Sequence, residues 1–221
     1  MGAQTLGLDD KLLNYLLEVS LHEPEACTKL AERTREMPEA PMISSPEQVQ
    51  LILLLGKMLG ATRGLEIGTF TGYTSLRLTL GMPDLQMTCC DVSEEFTSIG
   101  REAWQQAGVA DRIDLRLAAA QETLDAMLAD GKAGSFDFAY IDADKTGYRG
   151  YVEASLKLVR SGGLVMIDNV LWSGSVADPS DTSDETVALR ELNLWLHAEA
   201  PGNFDLSLVP IGDGLTLLRI P

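Results

Sequence analysis

Acidic and amide side chains follow two apolar segments of the chain, at the point where each segment ends. The first apolar segment, residues 136–141, is followed by Asp142-Ala143-Asp144-Lys145, and the second, residues 164–167, by Asp168-Asn169. If the two segments are neighbouring strands, Asp142, Asp168 and Asn169 can meet around one ion. Two carboxylates and an amide oxygen, without His or Cys, suit Mg²⁺ best, with Ca²⁺ or Mn²⁺ as alternatives. Each group taken alone could simply cap a turn, but two groups on consecutive strands favour a metal site.

Lys145 lies three residues after Asp142 and is a candidate general base. Next to a divalent cation its ammonium form is disfavoured, so the amine can accept a proton from a reacting group. The alternative is a structural ion pair with Asp142 or Asp144, and the spacing does not distinguish the two.

A glycine-containing loop, Glu66-Ile-Gly68-Thr-Phe-Thr-Gly72, follows another short apolar segment. Its spacing is not the G-x-G-x-x-G of dinucleotide-binding enzymes, and an acid precedes its first glycine. A carboxylate in this place favours a cationic ligand over a phosphate, although a plain tight turn is an equal alternative. Asp91 lies about 20 residues further on, where acids commonly accept hydrogen bonds from ribose hydroxyls. It could instead cap the next helix, but Ser93 is better placed for that.

These residues need a parallel sheet to bring them together, and the rest of the pattern predicts one. We expect strands at residues 64–67, 85–90, 113–117, 136–141 and 164–167, with helices at 72–80, 94–107, 121–128 and 147–159 between them. Such alternation indicates a doubly wound α/β fold, whose ligands bind at the carboxyl ends of the strands. Three helices precede it, at 8–21, 24–35 and 46–59. A loop at 170–183, a helix at 184–198 and a hairpin of strands at 205–209 and 215–220 follow it.

Composition and net charge argue against several classes of function and location. The 221 residues fit one domain, and a net charge of −16 without a Lys/Arg cluster argues against a nucleic-acid partner. No apolar run is long enough to span a bilayer, and the first ten residues lack the pattern of a secretory signal, so we expect a cytoplasmic protein. Cys27, Cys89 and Cys90 form no C-x-x-C pair and are expected to be reduced and buried. His22 and His197 lie apart, which argues against a zinc site or a Ser-His-Asp triad.

With these motifs in order, the chain resembles the cation-dependent O-methyltransferases of the caffeoyl-CoA and catechol type, and in particular a branch with many bacterial members. The resemblance covers about residues 8–220. It is carried by Met42-Ile-Ser-Ser-Pro-Glu-Gln-Val-Gln, Leu65-Glu-Ile-Gly-Thr-Phe-Thr-Gly-Tyr, Asp91-Val-Ser, Phe136-Asp-Phe-Ala-Tyr-Ile-Asp-Ala-Asp-Lys, Gly163-Leu-Val-Met-Ile-Asp-Asn-Val-Leu-Trp and Pro210-Ile-Gly-Asp-Gly-Leu-Thr-Leu. The combination of Ile-Asp-Ala-Asp-Lys with Ile-Asp-Asn is the most specific part.

The resemblance implies a class I methyltransferase (Rossmann-like) fold with a seven-stranded sheet whose last strand is antiparallel. It implies metal ligands at Asp142, Asp168 and Asn169, and a base at Lys145. S-adenosylmethionine is expected to contact Ser44, Glu66, Gly68, Thr69, Thr74, Asp91, Ala119, Asp142 and Asp144. The family often has serine where this chain has Thr74, which keeps the hydroxyl. Trp172 and Ser173 are carried over as substrate contacts.

The implied reaction moves a methyl group from S-adenosylmethionine to one hydroxyl of a small vicinal diphenol, such as a catechol, caffeoyl or flavonoid compound. A homodimer is expected from the family. Residues 1–60 are expected to cover the cofactor and substrate and to make dimer contacts, while residues 61–221 form the catalytic core. Two other interpretations are a nicotinamide-dependent dehydrogenase and a non-catalytic cofactor-binding protein of the same fold.

Overall fold

The structure is a computed structural model, which describes residues 6–221. Residues 1–5 lie outside the described residues. They are half of the ten-residue segment for which the sequence predicts no secretory signal. Within 6–221 the helices are α1 (Asp10–Ser20), α2 (Glu25–Arg35), α3 (Pro46–Met58), α4 (Tyr73–Gly81), α5 (Glu94–Gln106), α6 (Ala120–Ala129), α7 (Tyr148–Leu158) and α8 (Asp184–Asn203). The strands are β1 (Arg63–Ile67), β2 (Gln86–Asp91), β3 (Ile113–Leu117), β4 (Phe136–Ile141), β5 (Val159–Ile167), β6 (Asp205–Val209) and β7 (Leu215–Arg219).

The seven strands form one sheet in the order β3-β2-β1-β4-β5-β7-β6. The first five strands are parallel, and β7 runs antiparallel between β5 and β6. The predicted fold class is therefore confirmed. Strand order reverses between β1 and β4, and this switch point opens a crevice at the carboxyl ends of the strands.

Helices cover both faces of the sheet, because each central strand is apolar on both sides. On one face α6, α7 and α8 pack on residues such as Ile67, Ile141 and Ile167. On the other face α3 and α4 pack on residues such as Phe138 and Met166, with α2 and α5 further out. Burial on both faces is the general rule for parallel sheets and fixes how the strand ends lie relative to one another.

Most predicted elements agree with the structure to within one or two residues, and one of the two largest differences is at the start of β5. This strand begins at Val159 rather than at residue 164, so α7 ends one residue earlier than predicted. Val159 pairs with Phe136 across a register shift, and Gly162 there adopts a φ of +74°. Gly162 and Gly163 form an irregular part of the strand.

Two further differences concern the predicted loop and the helix after it. Residues 172–177 of the predicted loop form a short 3₁₀ helix, and α8 continues to Asn203 across a kink at Pro201 and Gly202. The kink follows from proline and glycine, which disfavour a regular helix interior.

The cysteines behave as predicted for the described part of the chain. Cys27, Cys89 and Cys90 are free and buried. Cys89 packs with the α3–α4 face and Cys90 with the α6–α8 face, as expected for successive residues of a strand. Among residues 6–221, no helix combines the length and apolar character that crossing a membrane requires.

Candidate active site

The carboxyl ends of β4 and β5 place Asp142 and Asp168 side by side. The Asp142 amide donates to the Ile67 carbonyl at 2.8 Å, and the Asp168 amide donates to the Ile141 carbonyl at 3.0 Å. The sheet ladder thus continues one residue beyond each strand. Both carboxylates are held at the switch point by the backbone itself, as the strand-end argument predicted.

Lys145 lies in the middle of this group of oxygen atoms. Its Nζ donates to Asn169 Oδ1 at 2.6 Å, to the Tyr148 hydroxyl at 2.6 Å and to Asp142 Oδ1 at 3.2 Å. The side chain is only 9% exposed. Of the two ion pairs that the sequence left open, the structure shows the pair with Asp142. Burial chiefly raises the pKa of the Tyr148 phenol, so this hydroxyl stays neutral.

Asp168 is fixed by donors on both of its oxygens. Gln48 Nε2 and the Tyr140 hydroxyl each donate to Oδ2 at 2.5 Å, and the amide of Asn169 donates to Oδ1 at 2.6 Å. Burial, followed by the nearby charge of Asp142, raises the pKa of Asp168 to about 6. A second carboxylate this close makes added positive charge favourable at this end of the site.

The donor set at this end suits a hard divalent cation. Asp142 Oδ1 and Asn169 Oδ1 both lie within 3.2 Å of Lys145 Nζ, so they share one small volume. Asn169 adopts a φ of +56°, a conformation that asparagine tolerates better than most residues. Two carboxylates and one amide oxygen match the preference of Mg²⁺ for oxygen ligands.

The glycine loop lies directly beside Asp142. Gly68 has a φ of +89°, and a Cβ on it would come within 1.9 Å of the Asp142 carbonyl oxygen. Asp91 holds the same loop, since its Oδ2 accepts from the amides of Thr69 at 2.9 Å and Phe70 at 2.8 Å. The loop requires glycine at 68 for this close approach. Ser93 accepts from the amide of Phe96 and caps α5, as predicted.

Glu66 forms the floor of the cavity beneath the loop. It is 1% exposed, and the Cys89 thiol donates to its Oε2 at 3.2 Å. Burial, with only partial compensation by this hydrogen bond, raises the pKa of Glu66 to about 8. The group is therefore poised to gain from a cationic ligand that would stabilise the carboxylate form.

Residues from the N-terminal part and from β4 complete the inner wall. Thr74 Oγ1 donates to Ser44 Oγ at 3.2 Å, and Ser44 Oγ donates to Asp142 Oδ2 at 3.4 Å. Asp144 accepts from the amide of Gly147 at 3.1 Å and from the Tyr151 hydroxyl at 2.6 Å. The capping role that was the alternative for Asp144 is present, and its side chain also faces the cavity.

One cavity of about 1210 Å³ joins all of these features. It is lined by each residue that the sequence singled out as a site residue, namely Ser44, Glu66, Gly68, Thr69, Thr74, Asp91, Ala119, Asp142, Asp144, Lys145, Asp168, Asn169, Trp172 and Ser173. Trp172 and Ser173 lie at its mouth with φ values of +46° and +51°. The Trp172 ring centroid is 5.5 Å from Lys145 Nζ.

The sequence did not predict the two side chains that donate hydrogen bonds to Asp168. Gln48 and Tyr140 are almost fully buried, and Gln48 stands four residues before Ile52 on the buried face of α3. A polar side chain on an otherwise apolar face was the available signal. Its partner lies 120 residues away, so the pattern could not show the contact.

The fold and the cavity together define a class I methyltransferase, the group whose seven-stranded sheet has its last strand, β7, inserted antiparallel between β5 and β6. The model of the O-methyltransferase family matches residues 17–220, and the chain belongs to this family. It is therefore an O-methyltransferase.

Individual relatives agree with this assignment. The chain is 40% identical to mouse catechol O-methyltransferase domain-containing protein 1, over 95% of this chain and 79% of the relative. It is 38% identical to a caffeoyl-CoA O-methyltransferase of Eucalyptus gunnii, over 99% and 91%. A Podospora anserina methyltransferase solved with bound S-adenosylhomocysteine superposes with a TM-score of 0.86, at 27% identity and 99% coverage of both chains. The Streptomyces achromogenes O-methyltransferase TomG, solved with S-adenosylmethionine, gives a TM-score of 0.82 at 28% identity, with 94% of both chains covered.

Proposed function

We propose that this enzyme uses S-adenosylmethionine and a divalent cation to methylate one hydroxyl of a small vicinal diphenol. The observation that carries the proposal is the position of Asp142. Its backbone touches the glycine loop, while its side chain belongs to the oxygen cluster with Asn169 and Lys145. A cofactor site and a cation site thus share one cavity and one residue.

The cofactor would be held along the glycine loop. Asp91 would accept from the ribose hydroxyls, the buried Glu66 would favour the cationic end, and the small side chain of Ala119 leaves room for the base. Ser44, Gly68, Thr69, Thr74 and Asp144 line the same part of the cavity. S-adenosylmethionine supplies an electrophilic methyl group when bound.

Asp142, Asp168 and Asn169 would hold the metal, for which we propose Mg²⁺. A divalent cation supplies a template for two vicinal oxygens and lowers the pKa of the hydroxyl that it binds. Lys145 would accept the proton of the acceptor hydroxyl on its Nζ. The surrounding side chains keep the acceptor oxygen and the methyl group in line, and such positioning is a large part of catalysis.

The two other interpretations lose support in the structure. A nicotinamide-dependent dehydrogenase would leave the oxygen cluster of Asp142, Asp168 and Asn169 without a purpose, and the family is that of O-methyltransferases. A non-catalytic binding protein would not need Lys145 buried among these oxygens.

The test is a methyl-transfer assay with labelled S-adenosylmethionine and a panel of vicinal diphenols, with monophenols as matched negative substrates. We expect activity with Mg²⁺, none after chelation, and recovery when the metal is returned. Asp142→Ala should abolish transfer, whereas Asp130→Ala, which removes an exposed carboxylate outside the cavity, should not. Full activity of Asp142→Ala or of the chelated enzyme would exclude the metal-dependent mechanism.

We also propose that the enzyme is a homodimer, with α1 and α3 at its interface. Within residues 6–221, α1 has no fully buried residue, and it exposes Tyr15 and Val19. Leu54 and Met58 of α3 are exposed as well. The molar mass from light scattering tests this. A cytoplasmic location and a covering role for residues 1–60 stay predictions, the latter supported by Ser44 in the cavity wall.

A further inference from the structure

The ionisable side chains of the cavity lining are mostly acidic. Among the described residues, seven acids line it: Glu66, Asp91, Asp142, Asp144, Asp168, Glu185 and Asp213. Lys145 is the basic residue of this lining, and it is buried against Asp142 and Asn169. The cofactor and metal roles account for five of the acids. Glu185 and Asp213 have no such role and lie with Trp172 and Ser173 at the acceptor end, which we call the rim.

Asp213 is built into the rim. It lies in the turn between β6 and β7, and its Oδ1 accepts from the amide of Ser173 at 2.7 Å. The amide of Leu171 donates to the Asp213 carbonyl at 2.9 Å. The turn and the 172–177 segment are therefore tied together, and one carboxylate oxygen of Asp213 remains available beside the cavity mouth.

Glu185 adds a second negative charge from the first turn of α8. It is exposed, and within residues 6–221 its side chain makes no hydrogen bond or ion pair. Among the described residues, Arg190, five residues further along α8, does not form an ion pair with it. Its guanidinium instead donates hydrogen bonds to four backbone carbonyls and so fixes the segment that contains them, those of Ser175, Val176, Asp178 and Asp181.

We infer that the rim selects acceptors by charge, and that the preferred substrate is a vicinal diphenol whose side chain carries a protonated amine. A neutral diphenol should rank second and a coenzyme A thioester last. Coenzyme A carries several negatively charged phosphate groups. At the rim these groups would meet the carboxylates of Glu185 and Asp213, which repel them, and no unpaired basic side chain among the described residues of the lining. The net charge of −16 acts in the same direction over longer range. This inference rests on the proposed methylation of vicinal diphenols.

One relative provides a comparison for the expected acceptor preference. The Eucalyptus gunnii relative is a caffeoyl-CoA O-methyltransferase, and it shares 38% of its residues with this chain over 99% of the chain's length. We therefore expect the same ring chemistry with a different preference at the rim, because the inner residues react with the ring and the rim meets the rest of the acceptor.

The experiment compares three acceptors that share one catechol ring and differ in side chain: a primary amine, an alcohol and a coenzyme A thioester. kcat/KM is measured at low and at high salt. We expect the order amine, alcohol, thioester, with the differences shrinking at high salt because the Debye length falls from about 30 Å at 0.01 M to about 8 Å at 0.15 M. Glu185→Gln and Asp213→Asn should each reduce the amine-to-thioester ratio about threefold to fivefold, as expected for one exposed charge a few ångströms away.

The variants are chosen to keep the structure. Asp213→Asn retains an oxygen that can accept from the Ser173 amide, and Glu185 is exposed. Glu191→Gln is the matched control, because it removes the same charge from α8 outside the cavity lining and should leave the ratio unchanged.

A thioester preferred over the alcohol would overturn the inference. So would a ranking that salt and both variants leave unchanged, since that would indicate shape rather than charge. If none of the three acceptors is methylated, the proposed function itself fails, and this inference fails with it. Methylation of all three at equal rates would overturn the inference alone.

Discussion

The two ends of the cavity are built in different ways. The inner end, which comprises Asp142, Lys145, Asp168 and Asn169, stands on the ends of two central strands and is largely buried. The rim stands on a 3₁₀ helix with left-handed residues, a hairpin turn and the exposed first turn of α8. Backbone ladders and buried donors fix the inner end, whereas only a few hydrogen bonds fix the rim.

The difference indicates that the two ends of the cavity have separate functions. The inner end can hold reacting atoms to within a fraction of an ångström, because its side chains are locked by packing and by their neighbours. The rim can change its residues without disturbing the sheet, so it is the place where acceptor choice can differ between relatives. Substitutions at the inner end should therefore change rate constants, and those at the rim should change preferences.

Among substitutions that leave the proposed metal ligands in place, the largest expected effect is at Lys145. Lys145→Met removes the base but keeps a long side chain against Tyr148 and Trp172, and kcat should fall by about 10²–10⁴-fold. Binding of S-adenosylmethionine, measured by calorimetry, should stay within a few-fold of wild type. Lys132→Met is the control, because Lys132 is exposed in the turn after α6. A Lys145→Met enzyme within tenfold of wild-type kcat would show that the lysine is only structural.

The next effect concerns Gln48 and Tyr140, which donate hydrogen bonds to the proposed metal ligand Asp168. Gln48→Met removes a donor to Asp168 with little change in side-chain size, and the affinity for Mg²⁺ or Mn²⁺ should weaken by about 10- to 100-fold. Tyr140→Phe should act in the same direction. Calorimetric titration with metal measures this directly, and saturating metal should restore much of the rate. Gln105→Met, at an exposed position of α5, should have no effect. Unchanged metal affinity in both Gln48→Met and Tyr140→Phe would mean that metal binding does not depend on the hydrogen bonds that these residues donate to Asp168.

The smallest expected effect is on stability, and it is tested by matched Glu→Gln substitutions at Glu66 in the cavity floor and at Glu185 in the rim. The folded-state pKa of Glu66 is raised to about 8 from an ordinary value of 4.5. The folded protein therefore binds this proton more tightly than the unfolded chain. The contribution to stability is complete below about pH 4.5 and is lost as the pH rises towards 8, by at most about 1.4 kcal/mol per pH unit.

Glu66→Gln should remove this part of the pH dependence, so the variant gains on the wild type between pH 5 and pH 8 in urea unfolding without cofactor. Glu185→Gln, at the exposed rim, should follow the wild-type curve. Parallel curves for wild type and Glu66→Gln would show that Glu66 is already ionised in the folded protein.

Much of the inner end was predictable from sequence, because strand ends follow from apolar runs and the residues after them must meet in a parallel sheet. Asp142, Asp168 and Asn169 were found in this way. The support from Gln48 and Tyr140 was not, since hydrogen bonds between distant segments leave no local pattern. The partner of Lys145 also stayed open, because i,i+3 spacing allows several contacts. The early start of β5 was missed because two glycines normally end a strand.

Gly68 has a consequence for how this protein can evolve. A Cβ at this position would lie 1.9 Å from the Asp142 carbonyl oxygen, so the glycine loop can approach Asp142 only because residue 68 has no side chain. Every missense change of a glycine codon adds at least that atom. No missense mutation at this codon is therefore expected to be nearly neutral, because any replacement of Gly68 must displace the Asp142 backbone. Glu185 and Asp213 face no such barrier, so acceptor preference can drift while residue 68 stays fixed.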